Sequence, residues 1–235
     1  MTLPAAILAG GLATRLKPIT QVIPKSMVEV AGQPFIARQL RYLKGQGIDR
    51  VVLCIGHLGE QVEAFVGDGS AFGIAVDYSS DGLSLLGTGG ALRRALPKLS
   101  DAFFVLYGDS YLPIDFRAVE LAFHASGQPA LMTVLRNDDR WDRSNIEFAD
   151  GRIVEYNKQV TRAAMTCIDY GLSVLRASVL APHAVDEAFD LADVFRRLSL
   201  ARQLAGFEVR ERFYEIGSHQ GLQETNDLFK NQGST

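Results

Sequence analysis

Gly10 and Gly11 follow the unbroken apolar run Pro4 to Leu8 and precede Thr14, Arg15 and, further on, Lys25. Such a run reads as a buried strand of a parallel sheet. Two glycines after it let backbone N–H groups turn toward one point and let a ligand approach with no Cβ in the way. Thr14 adds a hydroxyl, Arg15 a planar cationic fork and Lys25 a flexible point charge. The chemistry these types can do together is the binding of a polyphosphate. The position fits as well, because ligands of open α/β sheets bind where strands end.

Two common phosphate loops are excluded. A P-loop needs G-x-x-x-x-G-K-[ST], and the chain has no Gly-Lys pair. The dinucleotide fingerprint G-x-G-x-x-G does not fit Gly10 to Arg15, nor Gly87 to Leu92, where Leu92 stands at the third small position. The run Leu8 to Thr20 with Pro24-Lys25 instead resembles the signature of the sugar-nucleotide pyrophosphorylases, L-A-G-G-x-G-T-R-L-x-P-x-T…P-K. Ala13 departs from it, standing where that family has glycine.

The resemblance implies a site, residue by residue. Leu8, Ala9, Gly10, Gly11 and Thr14 would bind the nucleotide, and Arg15 and Lys25 would be catalytic, Arg15 on the β- and γ-phosphates and Lys25 near the α-phosphate. Leu85 to Leu92 resembles the family's L-G-T-[AG]-G-A-[LI] segment, placing Gly87 at the base and Thr88 near the phosphates. The plainer alternative, less favoured because a Gly-rich helix entry suits a nucleotide, is that Gly87 to Gly90 is only a tight strand-to-helix connection. Leu85 occupies a position where some uridylyltransferases carry glutamine, which argues against uracil. Asp109, after an apolar run, would be the first Mg²⁺ ligand, and Glu215 in Glu215-Ile216-Gly217-Ser218-His219 the second, in place of the family's aspartate.

On the acceptor side the resemblance assigns Lys158 to the sugar phosphate, with Asn157 where an acid is usual. Asp169-Tyr170-Gly171 stands for the family's N-x-G, so Asp169 and Gly171 would meet sugar hydroxyls. Glu155 is either a further hydroxyl acceptor or a solvated hairpin charge. Arg140 and Arg143 are within reach of a phosphate, and Trp141 beside them reads as a packing residue.

These residues need a scaffold, and the sequence spells one. Met27 to Val30, Arg50 to Ile55, Ile74 to Tyr78 and Phe103 to Tyr107 read as strands. Pro34 to Gln46, Gly59 to Val66 and Ala91 to Leu96 read as helices between them, the first with its proline early and the last stopped by Pro97. In the second half Ala130 to Leu135 and Cys167 to Leu175 read as strands. Asn145 to Phe148 and Arg152 to Tyr156 flank the hairpin signal Asp150-Gly151. Leu191 to Leu204 reads as an amphipathic helix, Phe207 to Ile216 as a strand, and Ser218 as the cap of a last helix through Phe229, before a polar tail from Asn231 to Thr235. The expected fold is α/β: a Rossmann-like, mostly parallel sheet covered by helices, with a hairpin-bearing acceptor half, of the nucleotide-diphospho-sugar transferase type. The expected organisation is one domain over 1–235, with a nucleotide-binding half over about 1–112 and a sugar-phosphate-binding half over about 113–230.

Composition narrows the function. The chain has 235 residues, 47% hydrophobic and 22% charged, with a net charge of −3. That balance supports neither a nucleic-acid partner nor a membrane surface, and no apolar run approaches the roughly 20 residues of a spanning helix. The N-terminus lacks a secretory leader pattern. Cys54 and Cys167 lie in apolar runs, so reduced thiols and a cytoplasmic setting are expected. The four histidines have no zinc spacing, and no G-x-S-x-G elbow occurs. The implied reaction transfers a nucleoside monophosphate from a triphosphate to a sugar 1-phosphate with Mg²⁺. The resemblance is nearest to short heptose or mannose 1-phosphate guanylyltransferases. Two other classes stand beside it: a silent nucleotide-sugar-binding regulatory subunit and a nucleotide-dependent oxidoreductase. The oligomeric state, including a homo-oligomer, is left open.

Overall fold

The apolar runs of the first half are continuous because the strands they form are covered on both faces. In the computed structural model, which describes residues 2–12, 14–16, 18–82, 84–137, 140, 143–160 and 162–232, β1 (Ala5–Leu8) is followed by the short pair β2 (Glu29–Val30) and β3 (Gln33–Pro34), then α1 (Phe35–Gly45). Next come β4 (Arg50–Ile55), α2 (Gly59–Val66), β5 (Ala75–Ser80), α3 (Gly87–Ala95), β6 (Ala102–Tyr107), β7 (Ser110–Tyr111) and α4 (Phe116–Ser126). The second half adds β8 (Ala130–Arg136), β9 (Ile146–Ala149), β10 (Arg152–Tyr156), β11 (Cys167–Arg176) and α5 (Leu191–Leu200). It finishes with β12 (Leu204–Val209), β13 (Tyr214–Glu215) and α6 (His219–Gln232).

Nine strands make one sheet in the order β5-β4-β1-β6-β11-β8-β12-β10-β9. The first four run parallel. From β6 onward the sheet is mixed: β11 lies antiparallel to both β6 and β8, and β12 rejoins β8 in parallel. The expectation of a mostly parallel sheet therefore describes β5 to β6 only. The antiparallel pairings of this sheet all involve strands of the second half, and there β9 and β10 are joined by a single tight turn. Asp150 and Gly151 both have positive φ (50° and 72°), the backbone a type I′ hairpin turn requires.

Alternate residues of each central strand feed two cores. Ile7, Leu53 and Phe104 face α1 and α4, while Ala6, Val52 and Phe103 face α3 and α5. A third, smaller core of Leu16, Val28, Phe35 and Ile216 lies under the first glycine loop.

Several boundaries differ from those expected. Helix α3 begins at Gly87 rather than Ala91, so the second glycine loop is the helix's own first turn. Phe207 to Ile216 is two strands, β12 and β13, and α5 stops at Leu200 because Leu204 already belongs to β12. The stretch Met27 to Val30 is a 3-10 turn followed by a two-residue strand. Helix α4 is not evident from periodicity, yet both ends carry signals: Asp115 accepts the N–H of Arg117 and of Ala118, and Gly127 ends it at φ 64°. Ser218 caps α6 through the N–H of Gly221 at 3.0 Å, and the helix extends to Gln232. Ala13, Lys17, Trp141 and the last three tail residues lie outside the described residues.

Candidate active site

Where β1 ends, the chain stays in register with its neighbours for one residue more: Ala9 N–H donates to Cys54 O, and Gly108 N–H to Leu8 O. The two glycines that follow serve different ends. A Cβ on Gly10 would sit 3.0 Å from the backbone nitrogen of Gly56, whereas one on Gly11 would meet nothing within 4 Å. Gly10 is thus set by close backbone approach, and Gly11 borders open space. Leu16, fully buried, anchors the turn that leaves Arg15 exposed. The side chain of Thr14 lies outside the described ones.

A cavity of about 250 Å³ opens over these strand ends. Leu8, Ala9, Gly10 and Gly11 border it from β1, Gly87 and Thr88 from α3, and Lys25 from its own turn. A second cavity of about 630 Å³ is bordered by Arg15, Lys158, Asp169, Gly171, Glu215 and Arg212. Tyr107 and Asp109, at the end of β6, border both. Leu8 to Gly11, Lys25, Gly87 and Thr88 thus border one side of this wall, whereas Arg15, expected at the same phosphates as Lys25, borders the other with Lys158, Asp169 and Gly171.

The wall carries converging charge. Asp109 Oδ2 receives the Lys25 ammonium, and its Oδ1 accepts the Ser110 hydroxyl at 3.2 Å. Strand β13 pairs with β7, setting Glu215 opposite Ser110, and Ile216 N–H donates to Asp109 O at 2.9 Å. The Glu215 carboxylate takes the Gly217 N–H and the Ser218 hydroxyl. A Cβ on Gly217 would lie 2.8 Å from Lys25 Nζ and 3.2 Å from an Arg15 nitrogen, and in collision with the Glu215 carboxylate. Gly217 is where the ends of two cationic side chains and a carboxylate crowd together, so a side chain there would have to push them aside.

The donor set fits a hard divalent cation. Mg²⁺ takes one or two carboxylates and completes its shell with phosphate oxygens and water. Asp109, in the turn before β7, and Glu215, on β13, would supply two such carboxylates, and among the described residues no group of three or more metal-ligating side chains occurs. A site built from protein alone would need more ligands, so these two suit an ion that arrives with phosphate.

The acceptor side is shaped by a break in strand register. The pairing of β11 with β8 shifts between Asp169 and Ser173, and Gly171 takes φ 103° there. The carbonyl of Leu172, freed by the bulge, accepts the buried Thr133 hydroxyl at 2.7 Å. The bulge leaves Asp169 facing the larger cavity, its Oδ1 accepting the Gly171 N–H at 2.9 Å. Burial pushes the Asp169 carboxyl above its ordinary range, opposed by Lys158 and that N–H. Glu155, by contrast, does not border the cavity. It is buried beneath the hairpin, paired with Arg162 at 2.7 Å and accepting from Asn157 at 3.2 Å. Its carboxylate ties the hairpin to the following loop.

The second glycine loop has a partner that the sequence did not reveal. Phe189 O accepts from Gly89 N–H (3.0 Å) and Gly90 N–H (3.3 Å), and Phe189 N–H donates to Leu86 O. The Thr88 hydroxyl donates to Asp190 and accepts the Leu191 N–H, both at 2.8 Å. Burial pushes Asp190 up, but the Ala192 N–H, the Thr88 hydroxyl and Lys158 hold it below its ordinary value. Gly87 and Thr88 border the smaller cavity, while Gly89 and Gly90 pack against a segment of the second half.

Among the described residues, three that border these cavities carry a buried polar atom with no hydrogen-bond partner: Ser26 Oγ at the smaller, Asn145 Oδ1 and Tyr170 Oη at the larger, the Tyr170 ring lying in the hydrophobic core. Sequence reading missed all three, along with Asp81, Arg212 and Asp190. Arg140 borders the larger cavity; Arg143 does not. The only sequence signal among the missed residues is Asp190, an N-cap before an amphipathic helix.

The family model described as nucleotidyl transferase matches residues 4–148. An N-acetylmuramate alpha-1-phosphate uridylyltransferase of Neisseria meningitidis is 41% identical over 115 residues, covering 48% of this chain and 50% of that protein. A D-glycero-alpha-D-manno-heptose 1-phosphate guanylyltransferase of Campylobacter jejuni is 30% identical over 80% of this chain and 83% of its own length. The chain thus spans half of the first relative and most of the second. The crystal structure of HddC from Yersinia pseudotuberculosis complexed with GMP-PN shares the fold, with a TM-score of 0.80 at 24% identity over 97% of this chain and 100% of that one.

Proposed function

Because the chain belongs to the nucleotidyl transferase family, we propose that it transfers a nucleoside monophosphate from a nucleoside triphosphate to a sugar 1-phosphate, releasing pyrophosphate. The single observation that carries this reading is the shared wall: Tyr107 and Asp109 border both a glycine-lined cavity and a polar cavity with Lys158 at its far side. Two substrates held on either side of that wall would present their phosphates to one another. In this reading the Rossmann-like parallel half, about 1–112, binds the nucleotide, and the half over about 113–230 binds the acceptor.

An oxygen of the sugar phosphate attacks the α-phosphorus in line, the bond to the β-phosphate oxygen breaks, and pyrophosphate leaves. A phosphate monoester is already an anion at neutral pH, so no strong general base is needed. The barrier lies in bringing two anions together, which makes positioning and charge neutralisation the main contributions. Lys25 neutralises the α-phosphate once released from Asp109, Arg15 takes charge building on the leaving phosphates, and Lys158 holds the acceptor phosphate. Ser26 and Asn145, which border the smaller and the larger cavity, would complete their hydrogen bonding on a phosphate and on a sugar hydroxyl once a small shift exposes them. Asp109 and Glu215 would hold Mg²⁺, which when bound supplies positive charge to the phosphate oxygens.

The test is pyrophosphate release measured across the four ribonucleoside triphosphates and a panel of sugar 1-phosphates. Release that requires one triphosphate and one sugar phosphate together supports the reading. Binding of a nucleotide sugar without turnover of any pair would replace it with a regulatory role.

A further inference from the structure

The smaller cavity has two chemically different ends. It runs from the end of β5 across β4 and β1 to the end of β6, three strand spacings or about 14 Å. Lys25 and Asp109 stand at the β6 end. The β5 end is formed by Asp81, Cys54, Leu85 and Ala91, and among the described residues no cation borders the cavity there. Phosphates belong at the first end, which leaves the base for the second.

At that second end Asp81 is the polar side chain with capacity to spare. It is 7% exposed, and its Oδ2 accepts only a long bond from Leu86 N–H, 3.2 Å. No other hydrogen bond reaches the carboxylate from the described residues, although an ionised carboxylate has about four lone-pair sites. Desolvation raises its pKa, with the Leu86 N–H and Arg94 opposing, as for a buried acceptor short of donors. The Cys54 thiol beside it is committed to Ala91 O at 3.9 Å and, with its pKa pushed up to about 12, stays protonated. The Thr88 hydroxyl is used by Asp190 and Leu191.

We infer that Asp81 reads the nucleobase and that the base it selects is guanine; the inference rests on the triphosphate reading above. A carboxylate fork offers two acceptors side by side. Guanine presents two adjacent donors on its pairing edge, N1–H and the 2-amino group. Uracil and thymine present one N–H between two carbonyl oxygens, which a carboxylate repels. Cytosine and adenine present a bare ring nitrogen beside a single amino group. Only guanine fills both acceptors without setting an acceptor against the carboxylate. A site built on buried hydrogen-bonding groups rejects analogues that leave them unpaired.

The experiment is calorimetric titration of the intact protein, with Mg²⁺ and no acceptor, by GTP, UTP, CTP, ATP and inosine triphosphate, which lacks only guanine's 2-amino group. GTP should bind most tightly, with inosine triphosphate about tenfold weaker or more, the worth of one hydrogen bond to a charged group. Asp81→Asn, which exchanges one acceptor for a donor, should narrow the gap between those two to under twofold. Equal affinity of the wild type for GTP and inosine triphosphate would overturn the inference while leaving the nucleotide site standing, and this comparison needs no variant to fold. Failure of every triphosphate to bind would overturn the nucleotide site itself, and the inference with it.

Discussion

The smaller cavity is walled mainly by backbone and apolar side chains at the ends of parallel strands, whereas the larger is walled by charged side chains drawn from β11, β13 and the loops around them. In the proposed reading the first holds its ligand by shape and backbone amides with a few side chains, Lys25 and Asp81 among them. The second recognises by charge and by hydroxyl partners, each on its own side chain. A nucleoside triphosphate is a constant shape with a constant charge, and a rigid cradle suits it. Sugar phosphates vary in hydroxyl pattern, and a wall of separately replaceable side chains can be retuned without disturbing the sheet.

The comparison can be broken most sharply at the shared wall. Asp109→Asn and Glu215→Gln should each lower turnover by roughly 10³-fold and raise the Mg²⁺ needed for half-maximal rate, while the double variant is scarcely worse than the poorer single. Groups that share one ion act as a unit; strict additivity would mean the two carboxylates serve the two cavities independently. Next in size is Arg15→Lys, which keeps the charge and loses the fork. Turnover should fall by about 10²-fold with thermal stability unchanged, and near-normal turnover would remove Arg15 from the leaving phosphates. Lys158→Ala should raise the acceptor KM by about tenfold or more with triphosphate affinity, measured by calorimetry, left intact. A parallel loss of triphosphate binding would erase the division between the cavities.

The smallest effect concerns packing rather than chemistry. Replacing a helical glycine by alanine ordinarily stabilises by roughly 0.5–1 kcal/mol. At Gly89 the new methyl would collide with the Phe189 ring, so Gly89→Ala should instead destabilise by about 1–3 kcal/mol and lower Tm. A raised Tm would show that the Phe189 segment yields, and that the nucleotide side does not depend on the second half for its form.

What could be read in the sequence follows the same division. Many residues of the smaller cavity lie in two short stretches, Leu8 to Gly11 and Leu85 to Ala91, so their spacing is visible without a fold. The hairpin was equally local, fixed by Asp150-Gly151. Residues of the larger cavity come together only through long-range pairing. Nothing near Glu215 says that β13 lies beside β7, and nothing near Asp169 announces the bulge that turns it inward. Asp81 and Asn145 stand in no motif, and what marks them is a carboxylate with a single long hydrogen bond and a buried amide oxygen with none among the described residues. Glu155 was legible as a hairpin acid, but its partner Arg162 belongs to a loop whose path no periodicity specifies.

The strand order has a consequence for how the chain is made. Strand β8 lies in the sheet between β11 and β12, both of which follow it in the chain. When β8 leaves the ribosome, neither neighbour exists. At about 5–20 residues per second, the chain takes seconds to reach Cys167 and longer to reach Leu204. Until then Leu131, Met132 and Val134, buried in the finished protein, have no strand to lie against, and β6 keeps an open edge beside them. The first half can be complete in translation before the second can be joined to it, so the interval between β8 and β11 is the moment at which this protein is most open to wrong partners.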